Sequence, residues 1–600
     1  MKLQLPWFVA LAALALTAGA QTFVRSVNGP AVGSQFGKAC IIVPDQNADG
    51  LKDVLVGAPE FNGGRGAIYC ISGAFLATGI GVQTLWSIAP PVAAGDQFGF
   101  ALADVGDVTG DAVHDFLVGQ PGYDVQSQTN VGAVRLVNGS SHILVSLLYG
   151  SYACCEAFGR AMAACGDINQ NGIADVAVGS PFFGLGEGVV RILDGSVLTQ
   201  FGSVQNLPLG WLSGGNYGDS LGFSVAAGAD LNGDGVPEVV AGVPNRDINS
   251  VGDAGRLILR DFAASQEVVI DSGIGGEHWG ASVSMGDDYD GDGVADIIAG
   301  APNSPNGSIY EVGRVTVLSG ARVMAQQPPY EIYSFAYGSV TPPTNHGDPL
   351  PNFHFGAAVL ACADLNLDGV GEIMIGAPGY FSTSFSGTSF RGLVRIYSGA
   401  TGALLCSVTG GTTDRLGDAL AGAVGDLDGD GFPEFVVGGS LSDAGGTDSG
   451  VIKCYRLFPL SPKTYCIGKQ NSLGCTPFVT FSGTPDINSS LPFTITGNNF
   501  INHRSGLLFY SRGPSAVPFQ GGTKCAANPV RRTTTQDSGG SASGSDCSGS
   551  YTLDFNAWLA AGSDSSLAAG ADVYAQFWSR DPASPSTTSL SNALHFVIHP

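Results

Sequence analysis

The feature that most constrains this chain is a nine-residue acidic stretch that recurs seven times. Its fifth copy reads DYDGDGVAD, from Asp288 to Asp296, with carboxylates at positions one, three, five and nine and a glycine at position six. The other copies begin at Asp45, Asp107, Asp167, Asp230, Asp364 and Asp426. Because the copies recur about every 63 residues, the chain is predicted to consist largely of one repeated structural unit.

Each acidic stretch is flanked by the same apolar and glycine-rich segments. About eight or nine residues upstream, an aromatic residue or leucine precedes a glycine, as in Phe36-Gly37 and Phe355-Gly356. Downstream, a β-branched run ends in Gly-Ala-Pro or a related tripeptide, as in VLVGAP and IIAGAP, and two more short apolar runs follow. Short β-branched runs between glycine-rich turns predict four strands in each unit, with no helical periodicity.

Seven units of four strands predict an all-β fold, a seven-bladed β-propeller. The alternative is a linear solenoid, which needs distinct capping repeats, and none is visible in the sequence. The seventh unit lacks a fourth strand of its own after VIKCYRLFP, whereas the N-terminal FVRSVNGPAVGSQFG aligns with LLCSVTGGTTDRLG before the seventh unit. We therefore expect the N-terminal strand to complete the last blade and close the ring.

The order of Phe-Gly, acidic loop and Gly-Ala-Pro resembles the FG-GAP repeat, which builds the seven-bladed head of integrin α subunits. The resemblance covers residues 22–459. The second copy departs from the pattern with Ala112 in place of the loop glycine, and the seventh has Gly439-Ser440 in place of Ala-Pro. The resemblance implies a calcium-dependent extracellular propeller whose partners bind the face away from the calcium turns.

The acidic stretches are predicted to bind calcium, because Ca²⁺ takes six to eight oxygen ligands and short acidic loops supply them from alternate positions. In the fifth loop, four carboxylates and the backbone carbonyl of Val294 can converge on one ion. An EF-hand would place a glutamate at position twelve, but here that position is Ala299 within a β-branched run. The alternative is an ordinary turn, which Asp and Gly also favour.

The candidate ligands stand at loop positions one, three, five, seven and nine, with position seven contributing its carbonyl. They are Asp45, Asn47, Asp49, Leu51 and Asp53; Asp107, Thr109, Asp111, Val113 and Asp115; Asp167, Asn169, Asn171, Ile173 and Asp175; Asp230, Asn232, Asp234, Val236 and Glu238; Asp288, Asp290, Asp292, Val294 and Asp296; Asp364, Asn366, Asp368, Val370 and Glu372; and Asp426, Asp428, Asp430, Phe432 and Glu434. Up to seven ions are expected. The fifth and seventh loops offer four carboxylates each, and the second and third are expected to bind most weakly.

The acidic loops also account for the net charge of -25. They contain 22 of the 51 acidic residues, so the rest of the chain is close to neutral. Such acidity argues against nucleic acid or an anionic membrane surface as the partner. The clustered carboxylates repel one another in the ion-free protein, and bound calcium would relieve that repulsion.

The two ends of the chain differ from the repeat region. Residues 1–20 contain one lysine, an apolar run and Ala-Gly-Ala, which is typical of a cleaved secretory signal, and no other segment approaches transmembrane length. We therefore expect a secreted or cell-surface protein. Residues 461–600 lack the repeat and contain strand-like runs, which predict a small β-sandwich-like domain.

The twelve cysteines are candidates for disulfides in an exported protein. The expected pairs are Cys466 with Cys475 and Cys525 with Cys547, because each pair brackets a short, turn-rich segment, although four cysteines allow three connectivities. Cys165 and Cys362 occupy the same repeat position, two residues before the first loop aspartate. They are predicted to be buried and unpaired.

No catalytic motif of the GxSxG, HExxH or phosphate-loop type is present, and the eight histidines are scattered. We therefore favour a recognition or adhesion scaffold for an extracellular protein or glycan over an enzyme. The alternatives left open are a carbohydrate-active lyase or hydrolase on the same scaffold and a structural surface or matrix protein.

The ligand is expected at the end of the propeller opposite the calcium turns, where the connections between second and third strands are longer and more variable. These connections carry aromatic residues that no alternating pattern would bury: Phe61, Tyr123, Phe182, Phe183, Tyr380, Phe381 and Phe385. Local packing within each connection is the alternative explanation. Several such rings on one rim would form an apolar recognition surface.

Overall fold

The computed structural model describes residues 21–79, 81–151, 155–213, 216–305, 311–336, 353–366, 368–384, 387–422, 426–427, 433–457, 462–487, 489, 491–562, 564, 566–567 and 571–598. The predicted export signal and four predicted site residues (Phe385, Asp428, Asp430 and Phe432) lie outside this range. The side chain of Phe381 also lies outside it.

Within residues 21–457, successive antiparallel strands form seven sheets, one for each acidic loop, which are termed blades one to seven. Blade one contains Ala39–Val43, Asp53–Ala58, Ala67–Ile71 and Thr84–Ile88; blade two contains Leu102–Gly106, Asp115–Gln120, Ala133–Asn138 and Leu147–Tyr149, with Ile143–Leu144 beside its third strand and Phe201–Ser203 parallel to its fourth; blade three contains Met162–Gly166, Asp175–Ser180, Val189–Leu193 and Pro208–Ser213. Blade four contains Val225–Ala229, Glu238–Val243, Arg256–Asp261 and Gln266–Asp271; blade five contains Ser282–Met285, Ile297–Ala301, Arg314–Leu318 and Glu331–Ala336. Blade six contains Ala358–Ala361, Glu372–Ala377, Leu393–Ser398 and Leu404–Thr409, with a hairpin of Phe381–Ser384 and Gly387–Phe390; blade seven contains Ala419–Gly422, Glu434–Gly439, Val451–Leu457 and Gln21–Asn28.

The second strand of each blade is buried along its whole length, as in Asp53–Ala58 and Glu372–Ala377. Such a strand packs against neighbouring blades on both faces, which explains why its sequence is a continuous β-branched run without alternation. Its glycine is required by close packing, because a Cβ added at Gly57 would lie 1.9 Å from the carbonyl oxygen of Gly99 in blade two. The Gly-Ala-Pro glycine of one blade thus contacts the Phe-Gly glycine of the next.

The blades are arranged around their first strands, which contact one another from each blade to the next, including blade seven with blade one. A single β-bridge also links successive blades, as between Gly66 and Phe98, and Gly450 bridges Phe36 in the same way. The N-terminal strand Gln21–Asn28 pairs antiparallel with Val451–Leu457, as the alignment of the two segments predicted. The fold is an all-β propeller, as the repeat predicted.

Residues 463–597 form two further sheets and a hairpin. The larger sheet contains Lys463–Tyr465, Thr588–Val597, Asp572–Arg580 and Ser505–Ser511, with Arg531–Arg532 and Gln536–Asp537 at its edge; the smaller contains Phe478–Ser482, Thr494–Phe500 and Gly549–Asp554; the hairpin contains Pro514–Phe519 and Gly522–Ala526. Aromatic side chains from both sheets share one core, including Phe500, Tyr551, Phe577 and Phe596. This packing is that of a β-sandwich.

The helices in the described part of the chain are short and lie in turns. They are Phe61–Gly64, Gly73–Thr78, Phe183–Gly186, Gly320–Met324 and Phe555–Ala560, with 3₁₀ turns at Gly195–Val197 and Val204–Asn206. None of the helices found there has the length and apolar character needed to cross a membrane.

The disulfides differ from the prediction. Cys466 pairs with Cys525 and Cys475 with Cys547, with Cα–Cα distances of 6.3 and 6.5 Å. The prediction of local pairs was wrong because strand packing, rather than closeness in sequence, brings these cysteines together; the hydroxyl of Tyr465, next to Cys466, donates a hydrogen bond to the carbonyl of Cys525. In the propeller, Cys165 and Cys362 are buried and form no disulfide, as predicted.

Candidate metal centres and the opposite face

Each acidic turn joins the first strand of a blade to the second, and its ninth residue lies at the start of the second strand. That residue is a fully buried carboxylate in every blade: Asp53, Asp115, Asp175, Glu238, Asp296, Glu372 and Glu434. Positions one to six are exposed or half-buried in turns one to three, whereas turns four to seven bury position two: Leu231, Tyr289, Leu365 and Leu427. The turn therefore places its solvent-facing acids close to the buried carboxylate at position nine.

The buried acid holds the turn to its blade. One of its oxygens accepts a hydrogen bond from the backbone N–H at loop position two in all seven blades, as from Gln46 to Asp53 at 2.7 Å and from Tyr289 to Asp296 at 2.7 Å. In four blades, the other oxygen accepts a hydrogen bond from the glycine that follows the third strand: Gly73, Gly139, Gly195 and Gly320. The geometry at position nine therefore depends on two other segments of the blade.

The remaining side chains are oriented by the turn itself. In the fifth turn, Asp288 accepts hydrogen bonds from the backbone of Gly291 at 2.6 Å and of Gly293 at 2.7 Å. Gly293 has a φ of +88°, a conformation that favours glycine. At the same position in the second turn, Ala112 has a φ of 69°. A non-glycine residue in this region costs of order 1 kcal/mol, so the second turn is strained.

Within the described part of the chain, three turns bring three carboxylate oxygens together within 4.8 Å of one another. These sets are Asp230, Asp234 and Glu238; Asp288, Asp290 and Asp296; and Asp364, Asp368 and Glu372. Among the described residues, nothing donates a hydrogen bond to the buried Oε1 of Glu372, whereas its Oε2 accepts one from the backbone of Leu365. A buried carboxylate oxygen without a partner is costly, and a cation would satisfy it. These hard oxygen donors at alternate positions fit Ca²⁺.

Four of the position-nine acids, Asp53, Glu238, Asp296 and Glu372, have strongly raised pKa values. Burial is the main cause, and repulsion from the other loop carboxylates adds to it, while backbone N–H groups oppose both. The pKa is raised to about 6 for Asp53, to about 7 for Glu238 and Asp296, and to about 8 for Glu372. Without a cation, Glu238, Asp296 and Glu372 are partly protonated near neutral pH, and a divalent cation would displace the protons.

The strand register identifies one more neighbour of each turn, which the sequence analysis missed. In blades six and seven it is Ser398 and Arg456, which pair with the position-nine acid. In blades one to five, the residue one position beyond the last pair of the register is Ser72, Asn138, Asp194, Asp261 and Ser319. Asp194 accepts hydrogen bonds from the amides of Asn169 and Asn171, at 2.9 and 3.0 Å. A sequence signal existed, because in five copies this polar residue directly precedes a glycine.

The opposite end of the propeller carries the Phe-Gly pairs and the connections between second and third strands. The guanidinium carbon of Arg160 lies 5.0 Å from the ring centre of Phe100, 4.8 Å from that of Phe223 and 5.8 Å from that of Phe182. These four residues are termed the Arg160 cluster. Phe182 is 42% exposed, so the cluster presents an aromatic ring to solvent beside a cation.

The other described aromatics predicted at this end are half-buried: Phe61, Tyr123, Phe183 and Tyr380. Tyr380 stacks on Phe353 with ring centres 5.7 Å apart, and the guanidinium of Arg191 lies 5.2 Å from the ring of Phe183. Local packing accounts for much of this aromatic content. Phe182 is the predicted ring that is both described and clearly exposed.

Buried ion pairs at this end also escaped the sequence analysis. An acid two residues before the Phe-Gly position pairs with a basic residue of the same blade in Glu156–Arg191 at 2.5 Å, Asp219–Arg246 at 2.6 Å, Glu277–Arg314 at 2.9 Å and Asp414–Lys453 at 2.5 Å. These pairs fix the start of a blade to its third strand or, in blade four, to the connection before that strand. The recurring acid before the Phe-Gly pair was the available signal.

The blades, their Phe-Gly pairs and their acidic turns define a propeller built from one repeat. The family model of the FG-GAP repeat matches residues 158–193, 221–259 and 279–318, which contain the acidic turns of blades three, four and five. These three segments are FG-GAP repeats, and the chain is similar to integrin α chains.

Similar proteins include several integrin α chains. The chain is 30% identical to integrin alpha-V of Gallus gallus over 262 residues, which are 40% of this chain and 21% of that protein. It is 29% identical to integrin alpha pat-2 of Caenorhabditis briggsae over 240 residues, 37% of this chain and 18% of the relative. It is 34% identical to integrin alpha-7 of Rattus norvegicus over 181 residues, 29% of this chain and 14% of the relative. The similarity therefore spans roughly a fifth or less of the length of each relative.

Proposed function

We propose that this protein is an exported calcium-binding β-propeller that recognises an extracellular protein or glycan. The observation that carries the proposal is the repeated acidic turn, with its buried carboxylate, on an integrin α-like scaffold. In this proposal residues 1–20 direct export, residues 22–459 form the propeller, and residues 461–600 form an attached β-rich domain.

Calcium is the proposed ion because the turn offers up to four carboxylates and one carbonyl in an open, flexible arrangement. Mg²⁺ demands a tighter octahedral geometry and retains more water. The fourth, fifth and sixth turns have the best support, since their acids converge and the sixth contains the orphaned oxygen of Glu372. A bound ion would stabilise the propeller by relieving the repulsion among carboxylates in each turn.

The Arg160 cluster is the proposed recognition surface, on the face opposite the calcium turns. Phe182 offers an exposed ring on which a sugar or an apolar side chain can stack. Arg160 offers a cation beside that ring, and the amino group of Lys38 lies 5.8 Å from the ring centre of Phe100. Two cations on this rim of a chain with a net charge of -25 favour an acidic ligand, either an acidic glycan or an acidic protein segment.

The test is binding of the full chain to arrays of glycans and extracellular-matrix proteins, with calcium and with chelator. Phe182→Ala is expected to weaken binding about tenfold or more, as loss of a central aromatic contact does. The matched control is Phe201→Ala, which removes a ring that is 73% exposed at the outer edge of blade two. The double variant Tyr380→Ala with Phe381→Ala tests the rim of blade six in the same assay.

Calcium-dependent melting should be unchanged in these variants, because the substituted residues lie outside the acidic turns in sequence. If binding survives the Phe182 change and is instead lost on substituting exposed residues near the acidic turns, recognition takes place at the calcium end. Product release from a polysaccharide would favour the enzyme alternative.

A further inference from the structure

The seventh acidic turn differs from the others in the residue that faces its buried acid. In blade six, Ser398 lies opposite Glu372 in the strand register, and in blade seven Arg456 lies opposite Glu434. The corresponding residues of blades one to five are serine, asparagine or aspartate. Blade seven is thus the one blade that places a positive charge at this position.

The side chain of Arg456 points at the buried acid. Its Nη2 lies 2.5 Å from Oε1 of Glu434, and its Nε donates a hydrogen bond to the same oxygen at 2.7 Å. Oε2 of Glu434 accepts a hydrogen bond from the backbone of Leu427 at 2.8 Å. Both oxygens of Glu434 are therefore satisfied by the protein itself.

Blade six provides the comparison. Glu372 is equally buried and makes the same bond through Oε2, yet its Oε1 accepts no hydrogen bond from any described residue. The oxygen that lacks a partner in blade six is the oxygen that Arg456 contacts in blade seven. The second oxygen of the position-nine acid thus accepts an uncharged backbone N–H in four blades and has no described donor in blade six, whereas in blade seven it lies against a guanidinium.

We propose that Arg456 is the resident cation of the seventh turn, which consequently binds calcium far more weakly than the other turns or not at all. The inference rests on the proposed calcium binding. A guanidinium stays charged at every accessible pH, and its place in the third strand keeps it next to Glu434. A calcium ion at the same carboxylate would have to displace this group or lie against its positive charge. The sequence alone predicted the opposite, because the seventh loop has four carboxylates.

Arg456 also connects the seventh turn to the C-terminal β-sandwich. Its Nη1 lies 4.0 Å from Oδ2 of Asp572, and the ring nitrogen Nε2 of His595 lies 3.0 Å from Oδ1 of the same aspartate. Asp572 and His595 belong to adjacent strands of the larger C-terminal sheet. The guanidinium thus joins two acids from two parts of the chain, so the seventh turn serves as a junction rather than a metal site.

The experiment counts calcium ions bound per chain, by equilibrium dialysis of the full protein at a fixed free calcium concentration. Arg456→Ser, which installs the residue of blade six, is expected to bind one ion more than the wild type. Arg456→Lys retains the charge and is expected to gain none. The reciprocal variant Ser398→Arg is expected to lose one ion, and circular dichroism verifies that each variant is folded.

An equal count for the wild type and folded Arg456→Ser overturns the inference, as does a wild type that binds seven ions. A wild type that binds no calcium at any turn overturns the proposed function instead, so the two failures are distinguishable. If Ser398→Arg does not fold, the comparison of the serine and lysine variants at position 456 still decides the question.

Discussion

Asp194 accepts a hydrogen bond from the side-chain amide of Asn169 at 2.9 Å, although 25 residues separate them in sequence. It lies at the end of the third strand and also accepts a hydrogen bond from the amide of Asn171. The third turn has only two carboxylates of its own, and Asp194 adds a third acid beside it. We therefore expect this turn to bind calcium more tightly than its own residues predict.

Asp194→Asn tests this contribution. The substitution keeps an oxygen to accept the backbone N–H of Ser196 but removes the charge. Since a unit charge at about 4 Å contributes roughly 1–4 kcal/mol between the limits of water and a protein surface, affinity at one site should fall about tenfold. Calcium titration calorimetry measures the effect. Glu187→Gln removes a charge from the opposite end of blade three, and equal titration curves for the two variants would contradict the prediction.

Much of the propeller was predictable because its signals are local. The repeat period, the β-branched runs and the Phe-Gly pairs each lie within one unit, and they sufficed to place seven sheets. The alignment of the N-terminal segment with the strand before the seventh unit also predicted the pairing of Gln21–Asn28 with Val451–Leu457. The burial of Cys165 and Cys362 followed from their shared repeat position.

What the sequence did not reveal depends on contacts between distant segments. Asp194 and Arg456 act on turns that end about twenty residues before them, and only the strand register brings them to the position-nine acid. The disulfides were mispredicted for the same reason, since Cys466 and Cys525 are 59 residues apart. The number of carboxylates within a loop is therefore not enough to rank the calcium affinities of the turns, because residues outside the loop also contribute charge.

Removal of calcium should lower the melting temperature markedly. One site at hundredfold saturation contributes about 2.7 kcal/mol, and several filled turns add to the small net stability of a folded protein. Asp292→Ala should cost more than Asn171→Ala, because both side chains accept the backbone N–H at position seven but only Asp292 carries a charge. Differential scanning calorimetry in calcium should separate the two variants. In chelator their difference should largely vanish, and a wild-type curve that chelator leaves unchanged would refute calcium stabilisation.

The pH dependence of stability should reverse between the calcium-bound and ion-free protein. The pKa values of Asp296 and Glu372 are raised to about 7 and about 8, so the ion-free folded state binds more protons than the unfolded state between about pH 4 and these values. Stability in chelator should therefore fall as the pH rises from 5 to 8. Calcium binds the deprotonated acids, so its stabilising effect should grow over the same range. Thermal melts at four pH values, with and without calcium, test both slopes; parallel slopes would contradict the prediction.

The N-terminal strand should contribute to the stability of the whole propeller, because it supplies the fourth strand of blade seven. Val27 is buried within a cluster that includes Phe36 and Ile452, and it pairs with Ile452 in the register. Val27→Ala is expected to cost about 2 kcal/mol through lost burial and the cavity left behind. Val32→Ala is the matched control, because Val32 is 69% exposed and its loss should change stability by less than about 0.5 kcal/mol. Urea unfolding followed by tryptophan fluorescence measures both variants.

Deletion of residues 21–28 should have a larger effect, since it exposes the edge of Val451–Leu457 and favours association through that edge. Equal unfolding midpoints for the two valine variants, together with a monomeric deletion variant of wild-type stability, would show that the propeller does not depend on this strand.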